Sequence, residues 1–202
     1  MKRIISAFCL FFLTVASIHV TAQGHPYRDG TPRVTGYRSE VLALVMIQGD
    51  EFTRLAEAIP AEKYSWRPAP GVRSVAEVLL HASAANYNMY KLVGAKIPQR
   101  IETNSMEQST TDKVRVIATL KESYAHAKQA ITDMPDADLE KSMDWSGGRI
   151  TERGVLLFIV PHIAEHLGQL IAYARVLGVV PPWTADEQKK QAEKKEDPKE
   201  KR

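Results

Sequence analysis

Apolar residues recur at every third or fourth position in four long stretches of the chain, which is the period of an amphipathic α-helix. The first stretch covers residues 37–59 and is followed at once by Pro60. The others cover residues 74–94, 111–134 and 151–178. No segment shows sustained alternation of apolar and polar residues, so the pattern predicts helices and no strands.

Residues that typically start or interrupt helices agree with the predicted helix boundaries. The second stretch opens with Ser74 and has Glu77 three residues later, the spacing of a capping box at a helix start. The segment before it carries Pro68, Pro70 and Gly71 and is predicted to be a loop. Four long amphipathic helices in a domain of this size indicate an all-α, antiparallel four-helix bundle. The predicted bundle covers residues 35–183, and its long connections would permit crossovers.

The N-terminus has the composition of an export signal. Lys2 and Arg3 precede an apolar run that is too short to span a bilayer comfortably, and Val20-Thr21-Ala22 offers small residues before Gln23. We therefore predict a cleaved signal peptide at residues 1–22, a flexible lead-in at 23–34 and a periplasmic or secreted protein without a stable membrane anchor. The alternative is an anchor helix that is retained.

The composition limits the partners and the metal ligands that the protein can use. The sequence has 27 basic and 24 acidic residues, a formal charge of +3, which gives no indication of nucleic-acid binding. Cleavage would remove Cys9, the sole cysteine, so any metal must be bound through nitrogen and oxygen. Residues 184–202 are strongly charged and almost without apolar side chains, which predicts a disordered, solvated tail or a frayed helix.

The chemical interest lies in the sequence PHIAEHLGQ on the fourth helix. His162 and His166 are four residues apart and lie about 40° from each other around the helix, with Gln169 and Tyr173 on the same stripe. A stripe that faces the core is normally apolar throughout. Imidazoles at positions i and i+4 can instead converge on one cation.

A third ligand must come from another helix, and His81 is the best candidate. It shares a face of the second helix with Val78, Ala85 and Leu92, so it is predicted to point inward. A shared divalent metal would account for three inward-facing histidines, which would otherwise be costly to bury. An isolated H-x-x-x-H pair is more often ordinary helix surface. His126 lies opposite Ile117 on the third helix and is predicted to be solvated.

Two further hypotheses concern residues close to the histidines on the fourth helix, Glu165 and Gln169 among them. Both lie near the histidines, and we predict them as catalytic groups that orient substrate or transfer a proton, although Glu165 could equally form a surface salt bridge. The sequence His162-Ile-Ala-Glu165-His166 also fits the H-x-x-E-H motif of inverted zinc proteases. That site needs a distal acidic ligand and a cleft built from a sheet, neither of which the sequence predicts.

The combination of motifs resembles a known family. The segments WRPAPGVRSVAEVLLHASAANY and PHIAEHLGQLIAYARVLGVVPPW, in this order, resemble the DinB-like, damage-inducible (YfiT-type) proteins over residues 35–183. The resemblance implies a four-helix bundle that holds a divalent metal, usually zinc or nickel, on three histidines. Those positions correspond here to His81, His162 and His166. It also implies homodimers, and relatives that are thiol-dependent transferases and isomerases.

The sequence therefore predicts an exported protein that binds a divalent metal through three histidines. As an enzyme it would be a metal-dependent hydrolase or group transferase acting on a small molecule, because three imidazoles leave an open coordination position. The alternative is a non-catalytic bundle of the cell envelope that binds metal or a small molecule. We expect no nucleic-acid partner, and the family name does not imply one. The thiol cosubstrates of the better-known relatives are cytoplasmic, whereas this chain is predicted to be exported.

Overall fold

A computed structural model describes residues 36–196 of the protein. The predicted signal peptide, the lead-in and residues 197–202 lie outside this range. The elements within it are α1 (Gly36–Ala58), α2 (Val75–Leu92), α3 (Lys113–Asp133), β1 (Ser142–Trp145), β2 (Gly148–Thr151), α4 (Glu152–Val176) and α5 (Pro182–Glu196). Three short 3₁₀ helices, Ala61–Lys63, Met106–Gln108 and Asp136–Glu140, lie in the connections. The four predicted helices are present, and the fold is mostly helical.

The first four helices pack around a common core, but not in chain order. α2 packs extensively against α3 and α4, and α1 packs against the same two helices. The order around the bundle is therefore α1, α3, α2, α4, with the connections α1–α2 and α3–α4 crossing between non-neighbouring helices. This crossover arrangement makes α2 and α4 direct neighbours, which positions the site described below.

The core is built from the inward faces of these helices, and five tyrosines are buried in the described structure. Tyr64 donates a hydrogen bond to the Ala56 carbonyl at 2.8 Å, so its hydroxyl is satisfied inside the protein. The largest fully buried side chains are Tyr64, Tyr87, Tyr90, Phe52, Leu42, Leu55, Ile59, Leu79, Leu80, Leu120, Ile131 and Leu156. Gly49 lets α1 and α3 approach closely, because a Cβ there would lie 2.7 Å from the ring of Tyr124.

Polar side chains define where three of the helices begin. Ser74 and Glu77 form the predicted capping box, with the Glu77 amide donating to Ser74 Oγ at 3.2 Å and the Ser74 amide donating to Glu77 Oε2 at 2.6 Å. Asp112 caps α3 by accepting from the Arg115 amide, and Thr151 caps α4 by accepting from the Gly154 amide. Each cap satisfies an amide that has no partner inside the helix.

The prediction that the chain has no strands is wrong. β1 and β2 form an antiparallel hairpin in which Ser142 pairs with Thr151 and Trp145 pairs with Gly148. The two turn residues, Ser146 and Gly147, both have positive φ values of 44° and 83°, as a two-residue turn of type I′ requires. The hairpin precedes α4 directly and, through Trp145, contributes to the site.

The expectation of a disordered tail also needs correction. Residues from Pro182 to Glu196 form a helix, α5, rather than a disordered segment. An ion pair of 2.5 Å between Arg54 on α1 and Asp186 connects α5 to the bundle. Beyond this contact α5 is charged and mostly exposed, which corresponds to the helical alternative of the prediction rather than to a disordered tail.

Helix α4 carries most of the site residues and continues through Pro161 without interruption. Among the described residues it is also the helix whose length and apolar composition would suffice to cross a bilayer. The core helix of a soluble bundle has the same properties. Here one face of the helix, including Leu156, Ile159, Ile163 and Leu170, is buried in the interior of the bundle, whereas Leu157 and Val176 are exposed.

Candidate metal centre

His81, His162 and His166 meet between α2 and α4. The centroid of the His81 ring lies 4.6 Å from that of His166 and 5.8 Å from that of His162, and the two rings on α4 are 4.7 Å apart. One nitrogen from each residue lies within 4.8 Å of the others. The predicted convergence of these three imidazoles is therefore present in the structure.

The donor set fits a divalent ion. A metal–nitrogen bond is about 2.0–2.1 Å for zinc, so small rotations of the side chains would bring the three nitrogens to one ion. His162 Nε2 is buried and has no hydrogen-bond partner among the described residues, an unfavourable state that a coordinated cation would relieve. His166 is buried, whereas His81 and His162 are partly exposed, so the group is open on one side.

Glu107 holds the outer nitrogen of His81. It lies in the 3₁₀ helix Met106–Gln108, between α2 and α3, and its Oε2 is 2.9 Å from His81 Nδ1. Arg73, directly before the capping residue of α2, donates from Nε to Glu107 Oε1 at 2.8 Å and from Nη2 to Oε2 at 3.3 Å. With Nδ1 in this bond, the nitrogen of His81 left for a metal is Nε2.

Gln169 has the same role for His166. Its Oε1 lies 3.1 Å from His166 Nδ1, and its Nε2 donates to the hydroxyl of Tyr173 at 2.9 Å. The ring of Tyr173 in turn meets the ring of Trp66 edge to face at 5.5 Å. The polar stripe predicted on the fourth helix is therefore a connected chain of hydrogen bonds that leaves Nε2 of His166 available.

The electrostatics favour neutral imidazoles. Burial, together with the charges that His166 and His81 would carry, lowers the pKa of His162 to about 4 against the opposing effect of Glu165. Burial also lowers the pKa of His81, although the hydrogen bond to Glu107 acts in the other direction. Neutral imidazole is the form that ligates a metal, so these side chains are prepared for coordination near neutral pH.

The pKa of Glu107 is shifted by two opposing effects. Burial raises it, but the hydrogen bonds from Arg73 and His81 and the positive charge of Arg73 outweigh burial, and the pKa is lowered. Glu107 is therefore a carboxylate near neutral pH. It accepts hydrogen bonds from both neighbours at once, which leaves it poorly placed to act as a free base.

An aromatic wall closes one side of the group. The ring of Phe158 stacks on His162 at a centroid distance of 6.2 Å and an interplanar angle of 20°. Trp145, on the hairpin, meets Phe158 edge to face at 5.3 Å. The hairpin that the sequence did not predict thus supports the position of a candidate ligand.

The open side leads into a cleft of about 370 Å³ lined by His81, His162 and Glu107 together with α2 and the segment that follows it. The other polar side chains of this cleft are uncharged: Asn88, Thr103, Asn104 and Gln108. Thr103 donates to Asn88 Oδ1 at 2.9 Å, so the two walls of the cleft are connected. The cleft has the size and hydrogen-bonding groups for a small polar molecule.

The two predicted catalytic residues occupy different environments. Gln169 contacts His166 as described above. Glu165 lies on the exposed side of α4, near enough to influence the pKa of His162. The structure thus places Gln169 beside a candidate ligand and Glu165 at the edge of the group.

The prediction that His126 is solvated is wrong. It is half-buried on α3 with its ring 4.8 Å from that of Tyr87, and its Nε2 is buried without a hydrogen-bond partner among the described residues. It lines a larger cavity of about 460 Å³ where α2 and α3 end, which includes Lys96 and Asp133. The three clustered histidines do not line that cavity.

Sequence reasoning missed Glu107, Arg73 and Trp145 as members of the site. Arg73 and Glu107 are 34 residues apart, and Glu107 lies in a connection without helical periodicity, so no spacing rule relates them. Trp145 was missed together with the hairpin. The Ser146-Gly147 turn that precedes β2 was the available signal, since residues that tolerate positive φ favour such turns.

Comparison with known proteins identifies the family of the chain. The sequence profile of the DinB superfamily matches residues 47–170, more than half of the chain. The chain belongs to the DinB superfamily. The uncharacterized protein YjoA of Bacillus subtilis (strain 168) is 26% identical over 128 residues, covering 61% of this chain and 80% of YjoA. The predicted family membership is confirmed.

Solved structures show the same fold. A DinB-like protein from Bacillus cereus ATCC 10987 superposes with a TM-score of 0.63 at 18% identity, covering 73% of this chain and 98% of that one. The DinB-like YjoA structure from Bacillus subtilis gives a TM-score of 0.57 at 19% identity, with 70% and 93% covered. A mycothiol-dependent maleylpyruvate isomerase gives a TM-score of 0.53 at 12% identity, with 68% and 63% covered. At these identities the similarity establishes the fold.

Proposed function

We propose that this protein binds one divalent metal ion through Nε2 of His81, His162 and His166 and uses it in hydrolysis or group transfer on a small polar molecule. The observation that carries the proposal is the convergence of three imidazole nitrogens within 4.8 Å, from two neighbouring helices. Zinc or nickel is the metal we propose, on the precedent of the family and of nitrogen-only donor sets.

The chemistry would follow from three protein ligands and an open side. A bound divalent ion supplies Lewis acidity, which polarises a substrate oxygen or lowers the pKa of a bound water. The protein contributes position: Glu107 and Gln169 hold the outer nitrogens of two ligands, and Phe158 restricts the ring of His162. Asn88 and Gln108 line the adjoining cleft and offer hydrogen bonds to an uncharged polar substrate.

Glu165 and Gln169 differ in their capacity for proton transfer. Gln169 cannot exchange a proton, and we assign it the positioning of His166. Glu165 stays our candidate for proton transfer because its carboxylate acts on His162 electrostatically and is exposed to solvent. Glu107 is engaged by both Arg73 and His81 and is better suited to holding a ligand.

Metal stoichiometry tests the proposal directly. Purified protein should take up one zinc or nickel ion per chain in equilibrium dialysis followed by elemental analysis. His81→Ala should lower this value to well below one at metal concentrations that saturate the wild type. An unchanged stoichiometry in His81→Ala would disprove the three-histidine site.

A non-catalytic role is the second candidate, and one observation favours it. The carboxylate nearest to the three histidines, that of Glu107, already accepts from two partners, which leaves few groups for acid–base catalysis. A protein that only binds metal or a small molecule needs no such group. A screen of esters, amides and thiol conjugates that finds no turnover, together with clear thermal stabilisation by metal, would support this role over the enzyme.

We also propose that the protein acts outside the cytoplasm, supported by the export signal predicted at residues 1–22. N-terminal sequencing of protein recovered from the periplasm or medium should then begin at Gln23. Recovery of the full-length chain from the cytoplasm alone would contradict this proposal. The result does not affect the metal site, which lies entirely within residues 36–196.

A further inference from the structure

The connection between α2 and α3 places a carboxylate against the outer edge of His81. Glu107 Oε2 is 2.9 Å from His81 Nδ1, and both side chains are about three-quarters buried, with exposed fractions of 23% and 26%. Burial strengthens this contact, because water competes less for the carboxylate and the imidazole.

Glu107 is itself held in place. Its carboxylate accepts two hydrogen bonds from Arg73, at 2.8 Å and 3.3 Å, in the bidentate arrangement that fixes a carboxylate most firmly. Its neighbour Met106 is buried, and the 3₁₀ helix Met106–Gln108 packs against α2. Arg73, Glu107 and His81 therefore form a continuous line from the start of α2 to the cluster of histidines.

The hydrogen bond from His81 to Glu107 determines which nitrogen of His81 carries the hydrogen. A neutral histidine carries one N–H, and the partner of one nitrogen decides whether the other has a free lone pair. A carboxylate has only acceptor atoms, so Glu107 requires the hydrogen of His81 on Nδ1. The lone pair of His81 then lies on Nε2.

We propose that Glu107, fixed by Arg73, is the positioning residue that sets the tautomer and the ring orientation of His81. Its consequence for metal affinity rests on the proposed function, but its effect on the tautomer does not. A carboxylate in this position also increases the basicity of the ligand nitrogen, and loss of such a partner typically weakens metal binding by about 10–100-fold.

The other two histidines do not have this arrangement. His166 donates to the neutral amide of Gln169, and His162 packs against the ring of Phe158. Among the three clustered histidines of the described structure, His81 is thus the one with a carboxylate partner. The proposal accordingly predicts that Glu107 affects His81 and leaves the tautomer of His166 unchanged.

The test compares Glu107→Gln with Glu57→Gln in the full chain. Both substitutions replace a carboxylate that pairs with a basic side chain by an amide of the same size, but Glu57 is exposed on α1 and pairs with Lys121 on α3. In metal-free protein, long-range ¹H–¹⁵N correlation spectra report which nitrogen of each histidine carries the hydrogen. The wild type and Glu57→Gln should show His81 with Nδ1–H, whereas Glu107→Gln should show a mixture of the two tautomers.

Zinc affinity, measured by competition with a chelating dye, is the second readout. Glu107→Gln should bind about 10–100-fold more weakly than wild type, and Glu57→Gln should bind within about threefold of it. An unchanged His81 tautomer and unchanged affinity in Glu107→Gln would overturn the proposal. If the wild type bound no zinc, the proposed function would fail, while the tautomer measurement would still decide the role of Glu107.

A second variant covers the case in which Glu107→Gln does not fold. Arg73→Met keeps the carboxylate but removes both of its fixing hydrogen bonds, at a side chain that is about one-third exposed. It should shift the His81 tautomer in the same direction and weaken zinc binding by a few-fold. A spectrum identical to wild type in a folded Arg73→Met protein, together with wild-type affinity, would show that Glu107 is not held in the way we propose.

Discussion

His81 and His126 are partly buried histidines on neighbouring helices, and burial lowers the pKa of both. Their surroundings differ. His81 on α2 faces two more imidazoles from α4 and is held by a carboxylate, whereas His126 on α3 packs against Tyr87 beside a cavity that none of the clustered histidines lines. Burial of a histidine is therefore a poor sign of a metal site, and convergence of several donors is the feature that distinguishes His81.

Removal of a candidate ligand should have the largest effect on metal binding. His166→Ala should weaken zinc binding by at least about a hundredfold, more than the loss of an outer-shell partner. The substitution removes one of the three nitrogen ligands. It also removes the hydrogen bond between His166 and Gln169. Competition with a chelating dye would measure the change, and His162→Ala should behave in the same way. Zinc affinity within a few-fold of wild type in both would show that convergence does not identify the site.

A second substitution should change the stability of the bundle without changing metal binding at the three histidines. Gly49→Ala should lower the free energy of unfolding by about 1–3 kcal/mol, because the new Cβ would lie 2.7 Å from the buried ring of Tyr124. Gly168→Ala on α4 is the matched control, since nothing lies within 4 Å of its Cβ position and the substitution should stabilise the helix by about 0.5–1 kcal/mol.

Chemical denaturation of the two proteins would measure these changes. Zinc stoichiometry should stay at the wild-type value in both folded variants, since neither glycine contacts a candidate ligand. A Gly49→Ala protein as stable as wild type would mean that Tyr124 can move aside, which its deep burial argues against.

The role of an outer partner can be tested on α4 itself. Gln169→Leu removes the hydrogen bonds to His166 and Tyr173 and should weaken zinc binding by about tenfold, the lower end of the usual range because the amide is uncharged. Gln129→Leu on α3 removes a comparable bond to Asp133, distant from the cluster, and should leave affinity unchanged. Equal affinities in isothermal titration would contradict the role assigned to Gln169.

The smallest effect is expected at His126. His126→Gln should leave zinc stoichiometry and affinity at wild-type values, because His126 contacts Tyr87 and none of the clustered histidines. Elemental analysis after dialysis against an excess of zinc would detect a second site if one existed. A fall in bound zinc would mean that His126 is a ligand after all, and the distinction between the two surroundings would fail.

Much of the helical framework could be predicted because its signals are local. The capping residue Ser74 and the terminator Pro60 define helix limits within one or two residues, and the apolar period then gives the interior. His162 and His166 are related by one helical turn, so their proximity follows from α4 alone. Their approach to His81 depended on α2 and α4 being neighbours, which the sequence did not determine but which the family resemblance implied.

The errors arose where the signal is not local. On α3, the prediction placed His126 opposite Ile117, but the buried positions are Val116, Leu120, Ser123, Tyr124, Ala127 and Ile131. Relative to the middle of those positions His126 lies about 110° away, on the flank of the helix rather than opposite the core. Strands of four residues are too short for alternation to be recognised, so the hairpin was missed.

The stack of rings from Trp145 through Phe158 to His162 gives the protein a built-in optical probe. Indole fluorescence is quenched by nearby paramagnetic ions, and this indole is separated from a candidate ligand by a single phenyl ring. Titration with copper or nickel should therefore dim the emission of Trp145, with no dye or label attached to the protein. Replacing Trp145 by phenylalanine would remove that part of the signal while keeping an aromatic ring at the edge of the hairpin.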